Sequence, residues 1–139
     1  MASPARTILF DLPQGHEFPK TSFTLSSAGL AAYLDAVADT NALYRERGVA
    51  PPLAVAARAI RSLLNATELP PGTLHTGQEI ESHRACPVDV PLAFSGRVAQ
   101  RSLRAGLVIS VIEFSIATED GEALLTGRTT VMAQAGGVS

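Results

Sequence analysis

Two of the three histidines, His75 and His83, fall in the polar stretch Thr73–Cys86. An imidazole titrates near neutral pH, so either could exchange a proton with a bound molecule. Eight residues apart in one strand, they would share a face yet stand about 27 Å from each other. They cannot serve one site along a straight strand, and each alone reads as a surface or interface histidine. Arg58 and Arg61 interrupt an otherwise apolar run. Each must reach solvent, a carboxylate or a ligand phosphate, and a structural ion pair is the commoner end for such a group. Asp39 and Asn41 stand near the end of a helical pattern. They read either as a turn held by a local side-chain hydrogen bond or as part of a site. Tyr44 reads as a packing residue and Cys86 as a small buried side chain. No nucleophile elbow is present, and His75, Glu79, Glu81 and His83 match no common zinc spacing, so no metal site is expected.

The element that has to position these groups is the stretch Gly48–Asn65, GVAPPLAVAARAIRSLLN. From Leu53 onward, Leu53, Ala56, Ala57, Ile60, Leu63 and Leu64 recur at three- and four-residue spacing. Ala54, Val55 and Ala59 leave little of the circumference polar, which predicts a buried core helix. Pro51 and Pro52 suit its start, where a missing N–H costs nothing. Before it, Thr7–Asp11 is a short strand candidate, and Phe18–Thr24 is an extended approach to a helix over Ala28–Ala38. Thr24 or Ser26 can cap that helix, and Leu30, Tyr33, Leu34 and Val37 form its inner face with Asp35 opposite.

Four β segments follow the core helix. Thr73–Cys86 is polar on both faces, and so reads as an edge that pairs with another subunit or as the lining of a wet site. Val90–Ser102 sets Val90, Leu92, Phe94, Gly96 and Val98 against Arg97 and Arg101. Leu107–Thr118 is apolar and β-branched, as a fully buried strand would be. Glu122–Gln134 sets Ala123, Leu125, Thr129, Val131 and Ala133 against Arg128. The run Thr118–Glu122, with Gly after Asp, is a hairpin signal, and Ser102–Gly106 is a weaker one. The expected fold class is α+β, an antiparallel five-stranded curled sheet around a central helix. It fills one domain over residues 1–139, with loose tails at 1–6 and 135–139.

The totals narrow the class of function. The chain has 139 residues, 46% hydrophobic and 17% charged, which is enough for one packed domain. A net charge of −2 without a basic cluster argues against nucleic acid and against an anionic membrane as partners. A single cysteine precludes an internal disulfide and fits a reducing cytoplasm. No run approaches the roughly 20 apolar residues of a membrane span, and the first residues lack the apolar core of a signal peptide.

The order of elements resembles the hot-dog fold. ADTNALY at Ala38–Tyr44 resembles the signature of MaoC-like, R-specific enoyl-CoA hydratases, Gly-Asp-x-Asn-Pro-x-His. LHTGQEIESHRACP at Leu74–Pro87 and the final EDGEALLTGRTTV are also similar to this family, above all to the degenerate N-terminal half of its two-hot-dog dehydratases. The resemblance implies hydration or dehydration of an enoyl- or 3-hydroxyacyl thioester by general acid–base catalysis, with coenzyme A or an acyl carrier as part of the substrate and no other cofactor. It places Asp39 at the reacting water, shared with the family histidine, and Asn41 in support. A backbone N–H at the start of the core helix, near Pro52 and Leu53, would polarise the thioester carbonyl. The resemblance also makes coenzyme A the ligand whose phosphates Arg58 would meet.

Two departures qualify it. The family histidine falls at Tyr44, a phenol of pKa about 10 that does not replace an imidazole at neutral pH, and His75 becomes the candidate substitute. The family glycine falls at Pro51 or Pro52, which have no N–H. The resemblance therefore implies a homodimer, or a heterodimer with a catalytically complete hot-dog chain. A non-catalytic module that binds an acyl or polyketide-like ligand, and a hot-dog thioesterase, remain as alternatives.

Overall fold

The computed structural model describes residues 7–39, 43–65 and 67–135. Extended chain at Thr7–Ile8 (β1) runs straight into a 3-10 turn at Leu9–Asp11 that buries Leu9 and Phe10 completely. The expected strand over Thr7–Asp11 is thus only two residues long, and it stays outside the main sheet. The strand that does join the sheet is Thr21–Thr24 (β2), inside the stretch read as an approach to the helix.

Ser27–Ala36 (α1) begins at Ser26, whose hydroxyl accepts the N–H of Gly29 at 2.9 Å. The hydroxyl fills a donor that the first turn leaves open. Asp89 adds a second brace from across the fold, accepting both the backbone N–H and the hydroxyl of Ser27. Leu30 and Leu34 are buried, but Val37 is exposed, because the helix stops one residue before it. A short helix at Leu43–Arg47 (α2) and a two-residue strand at Val49–Ala50 (β3) lead to Pro52–Asn65 (α3).

The long helix buries Ala54, Val55, Ala56, Ala59, Ile60 and Leu63 against the sheet. It is not enclosed on all sides as the composition suggested. Leu53 is 59% exposed, and Ala57 and Arg61 also face outward. The sheet curls round one side only, so a stripe of α3 is left uncovered.

Beyond α3, Thr67–Glu68 (β4) pairs in parallel with β1. The polar stretch Thr73–Cys86 divides into Leu74–Ser82 (β5) and Cys86–Pro87 (β6), the latter paired with β3 and holding Cys86 buried. Pro91–Arg104 (β7), Leu107–Thr118 (β8) and Ala123–Gln134 (β9) complete the architecture. The main sheet has the order β2-β7-β8-β9-β5, and its pairs are all antiparallel. Both hairpins fall where the turn chemistry put them. Ala105 and Gly106 take φ of 50° and 77° between β7 and β8, and Gly121 takes 90° between β8 and β9.

Two bulges overturn the expected alternation of the arginines and histidines, and a third irregularity, in β9 opposite Ile116 and Ala117, leaves Ala123 exposed and buries Leu124 beside Leu125. One, between Val98 and Gln100 in β7, turns Arg101 to the inner side, where its Nε donates to the carbonyl of Phe10 at 2.6 Å. Arg97 therefore does not share a face with Arg101. The other, between His75 and Gly77 in β5, separates the two histidines. His75 reaches Thr129 and His83 reaches Thr126, side chains that alternate to opposite faces of β9. A single inserted residue shifts a period of two by half a cycle, and the sequence carries no mark of it. The tails at 1–6 and 136–139 lie outside the described residues, while the N–H of Ala135 is held by the carbonyl of Gly106 at 2.8 Å.

Candidate functional site

The uncovered stripe of α3 forms one wall of a groove of about 550 Å3, and the edge strand β5 forms the other. Leu53, Ala57, Ile60, Arg61 and Leu64 line it from the helix, Tyr33 from α1, and His75 and Gln78 from β5. The helix contributes these residues because they are spaced to fall on one side of it. The bulge in β5 turns His75 inward. There its Nε2 lies 2.6 Å from the hydroxyl of Thr129, which is itself only 2% exposed. That bond fixes the ring and leaves Nδ1 to face the groove or solvent. Among the described residues, Arg61 has no hydrogen-bond or ion-pair partner.

The other residues singled out from the sequence lie apart from this groove. Arg58 stacks its guanidinium 5.6 Å from the centre of the Phe23 ring and donates to Ser62, so it serves the packing of α3. Asp39 closes α1. Its N–H is taken by Leu34 O at 2.9 Å and that of Ala38 by Asp35 O at 3.2 Å, with Ala38 at φ 56°. This is the paired hydrogen-bond pattern of a helix end in which a left-handed residue, usually glycine, stands just past the last turn. Tyr44 packs half-buried against the core from α2. Asn41 lies outside the described residues. Pro52 is the first residue of α3, and the N–H groups of Ala54 and Val55 both turn back to Pro51 O, at 3.0 and 3.3 Å. Since neither proline has an N–H, the first backbone donor of the helix belongs to Leu53.

A larger hollow, about 900 Å3, lies on the other face of the sheet. Its floor is a row of alternating charge across adjacent strands, Glu17, Arg97, Glu113, Arg128 and Glu79. Glu113 accepts from Arg97 at 2.9 Å and from Arg128 at 2.7 Å. The hydrogen bond from Arg128, then that from Arg97, holds its carboxyl below the usual range. Both arginines are thereby already engaged, and although Lys20 stands at the rim, no histidine or helix start opens into this hollow. The groove beside α3 is the place where a proton-transfer group, a free cation and an apolar wall meet. Alternation puts Thr129 on one face with Val131 and Ala133, and the structure buries all three. Tyr33 and Gln78 carried no signal of their own, since it takes the packing of α1 and β5 about α3 to bring them to it.

The sequence matches no protein-family model and no curated protein. Solved structures do match. An (R)-hydratase from A. caviae involved in PHA biosynthesis superposes with a TM-score of 0.70 at 19% identity, over 86% of this chain and 96% of its own. A MaoC-like dehydratase from Rhodospirillum rubrum gives 0.74 at 18% identity, over 91% and 96%. The C-terminally truncated HadBC (3R-hydroxyacyl-ACP dehydratase) complex from Mycobacterium tuberculosis gives 0.69 at 18%, over 86% and 96%. This is the hot-dog fold. At such identities the shared property is the fold, with α3 as the filling of the hot-dog and β5 as one bare edge of its sheet. Among the described residues, no cluster of histidine, cysteine and acids is placed to hold a metal ion, and no helix is long and apolar enough to cross a membrane.

Proposed function

We propose that this hot-dog chain is a subunit of an acyl-thioester hydratase or dehydratase, acting on an enoyl- or 3-hydroxyacyl thioester of coenzyme A or an acyl carrier. The observation that carries the reading is that Leu53, at the start of α3, and His75 line one groove. A thioester carbonyl at the helix start would accept the N–H of Leu53, with the helix dipole favouring the charge that develops on oxygen. His75, held by Thr129, is the group that could pass the proton to or from the α-carbon or the departing water. The signature implies Asp39 and Asn41 beside the water, but Asp39 ends α1 outside the lining of this groove and Tyr44 packs on the core, so within the groove the proton-transfer role falls to His75.

A partner subunit completes this reading. The strand β5 has a neighbour on one side only and is exposed over most of its length. An unpaired edge presents a row of backbone donors and acceptors to a second chain. The HadBC structure is of a complex, which favours assembly with another hot-dog chain. The test is incubation of the purified chain with crotonyl-CoA, alone and with a homologue that retains the Asp and His of the signature, beside native mass measurement. Hydration only with the homologue supports the partner reading. Turnover by the lone chain that vanishes in Asp39→Asn refutes it.

A second reading, a binding module without chemistry, is favoured by one observation: Tyr44 is packed against the core instead of presenting an imidazole. It predicts saturable binding of a thioester with no turnover at any pH. Release of free coenzyme A would instead identify a thioesterase.

A further inference from the structure

The groove beside α3 has a chemical polarity along its length. Leu53 stands at the helix start and Arg61 eight residues on, which is about 12 Å along the axis. Between them the wall is apolar, formed by Ala57 and Ile60, and the lining continues past Arg61 to Leu64 and Asn65. Arg61 stands toward the far end as an exposed cation with no acidic or hydrogen-bonding partner among the described residues. Four other arginines that reach inward or lie along the sheet have occupants, while Arg104, at the end of β7, lines neither hollow. Arg101 donates to Phe10 O, Arg58 stacks on Phe23, and Arg97 and Arg128 share Glu113. Arg61 is thus the guanidinium that stands over an apolar trough with its five donors uncommitted.

We propose that the groove selects an acyl thioester whose chain ends in a carboxylate, with that carboxylate seated on Arg61. The inference rests on the proposed function in one respect, that the thioester end lies at the start of α3. A guanidinium matches a carboxylate in two parallel hydrogen bonds, a geometry that a methyl terminus cannot use. A plain alkyl end reaching this point would meet a hydrated cation and gain nothing from it. Gln78, on the facing strand, also lines the groove.

The experiment is isothermal titration of the full chain with N-acetylcysteamine thioesters, which carry no phosphate to confuse the charge. Two saturated acyl chains of equal length are compared, one ending in methyl and one in carboxylate, together with the corresponding free monoacid. The carboxylate-ended thioester is expected to bind up to about five-fold more tightly than the methyl-ended one, as an exposed ion pair allows. Arg61→Gln, at an exposed position that should not disturb folding, is expected to erase that ratio. Equal affinity for the two thioesters, or a preference that survives in Arg61→Gln, overturns the proposal. Binding of the monoacid that depends on Arg61 and exceeds that of the carboxylate-ended thioester also overturns it, in favour of a free acid. The two readings fail separately. A binding preference without turnover retains the substrate class and removes the enzyme, and turnover of crotonyl-CoA without the preference does the reverse.

Discussion

Replacing Gly127 by alanine tests how tightly the middle of the sheet is closed. Gly127 sits opposite Phe114 in the β8–β9 ladder. A Cβ there would lie 2.3, 2.7 and 2.9 Å from three atoms of the Phe114 ring, so the ring must retreat by about 1 Å to reach ordinary contact. It has little room to do so, being 4% exposed with the Phe94 ring centred 6.1 Å away. Overpacking of this kind costs about 1–3 kcal/mol. The depth of the clash argues for the upper end. The lost freedom of glycine in the unfolded chain returns roughly 0.4–1 kcal/mol. The expected net loss is about 2 kcal/mol, or roughly 6–10 °C in Tm. Urea unfolding followed by far-UV circular dichroism reads it as a lower midpoint at unchanged slope. In a Phe114→Leu background the obstruction is gone, and Gly127→Ala should be neutral or stabilise by about 0.5 kcal/mol. An equal cost in both backgrounds, or none in the parent, refutes the steric account.

Three further outcomes are expected. The hydroxyl of Ser110 is buried and has no hydrogen-bond partner, so Ser110→Ala should raise the urea midpoint by an amount equivalent to about 1 kcal/mol. Ala38 holds φ at 56°, where an L side chain costs about 1–2 kcal/mol, so Ala38→Gly should stabilise by up to about 1 kcal/mol after the entropy of the new glycine is counted. The carboxyl of Glu113, followed by 13C NMR, should titrate below the ordinary range and move up more in Arg128→Ala than in Arg97→Ala. Its folded pKa is lowered, so the stability it contributes is present above the unfolded value and is lost as pH falls through the folded one; Glu113→Gln should flatten the stability profile in that acid window.

The composition and periodicity of the chain revealed the large elements well and the local geometry poorly. The α3 pattern, the apolar β8 and the two hairpin turns were legible because each rests on many residues, or on a glycine whose φ leaves few choices. The four-residue β2 was too short to build a period, and its place in the sheet comes from pairing with β7. The bulges near Thr76 and Ala99 were invisible for a different reason. Strict alternation continues to look plausible on either side of an inserted residue, so His83 and Arg101 were assigned to the wrong faces. The exposure of Leu53 was missed because apolarity around a helix says that it wants cover and not which side receives it. The groove follows from that uncovered side, so Leu53 and His75 could be named singly from the sequence but not joined.

The bare flank of β5 also discriminates among strands that might lie against it. Glu79 and Glu81 alternate with Ile80 along it, and their only ladder neighbours are Arg128 and Thr126 of β9. Were two copies to meet here head to tail about a two-fold axis centred on Glu79 or Ile80, carboxylate would stand opposite carboxylate at the separation where like charges repel most. A strand bearing lysine at those stations would meet attraction instead, so charge at this margin weighs against that one symmetric register.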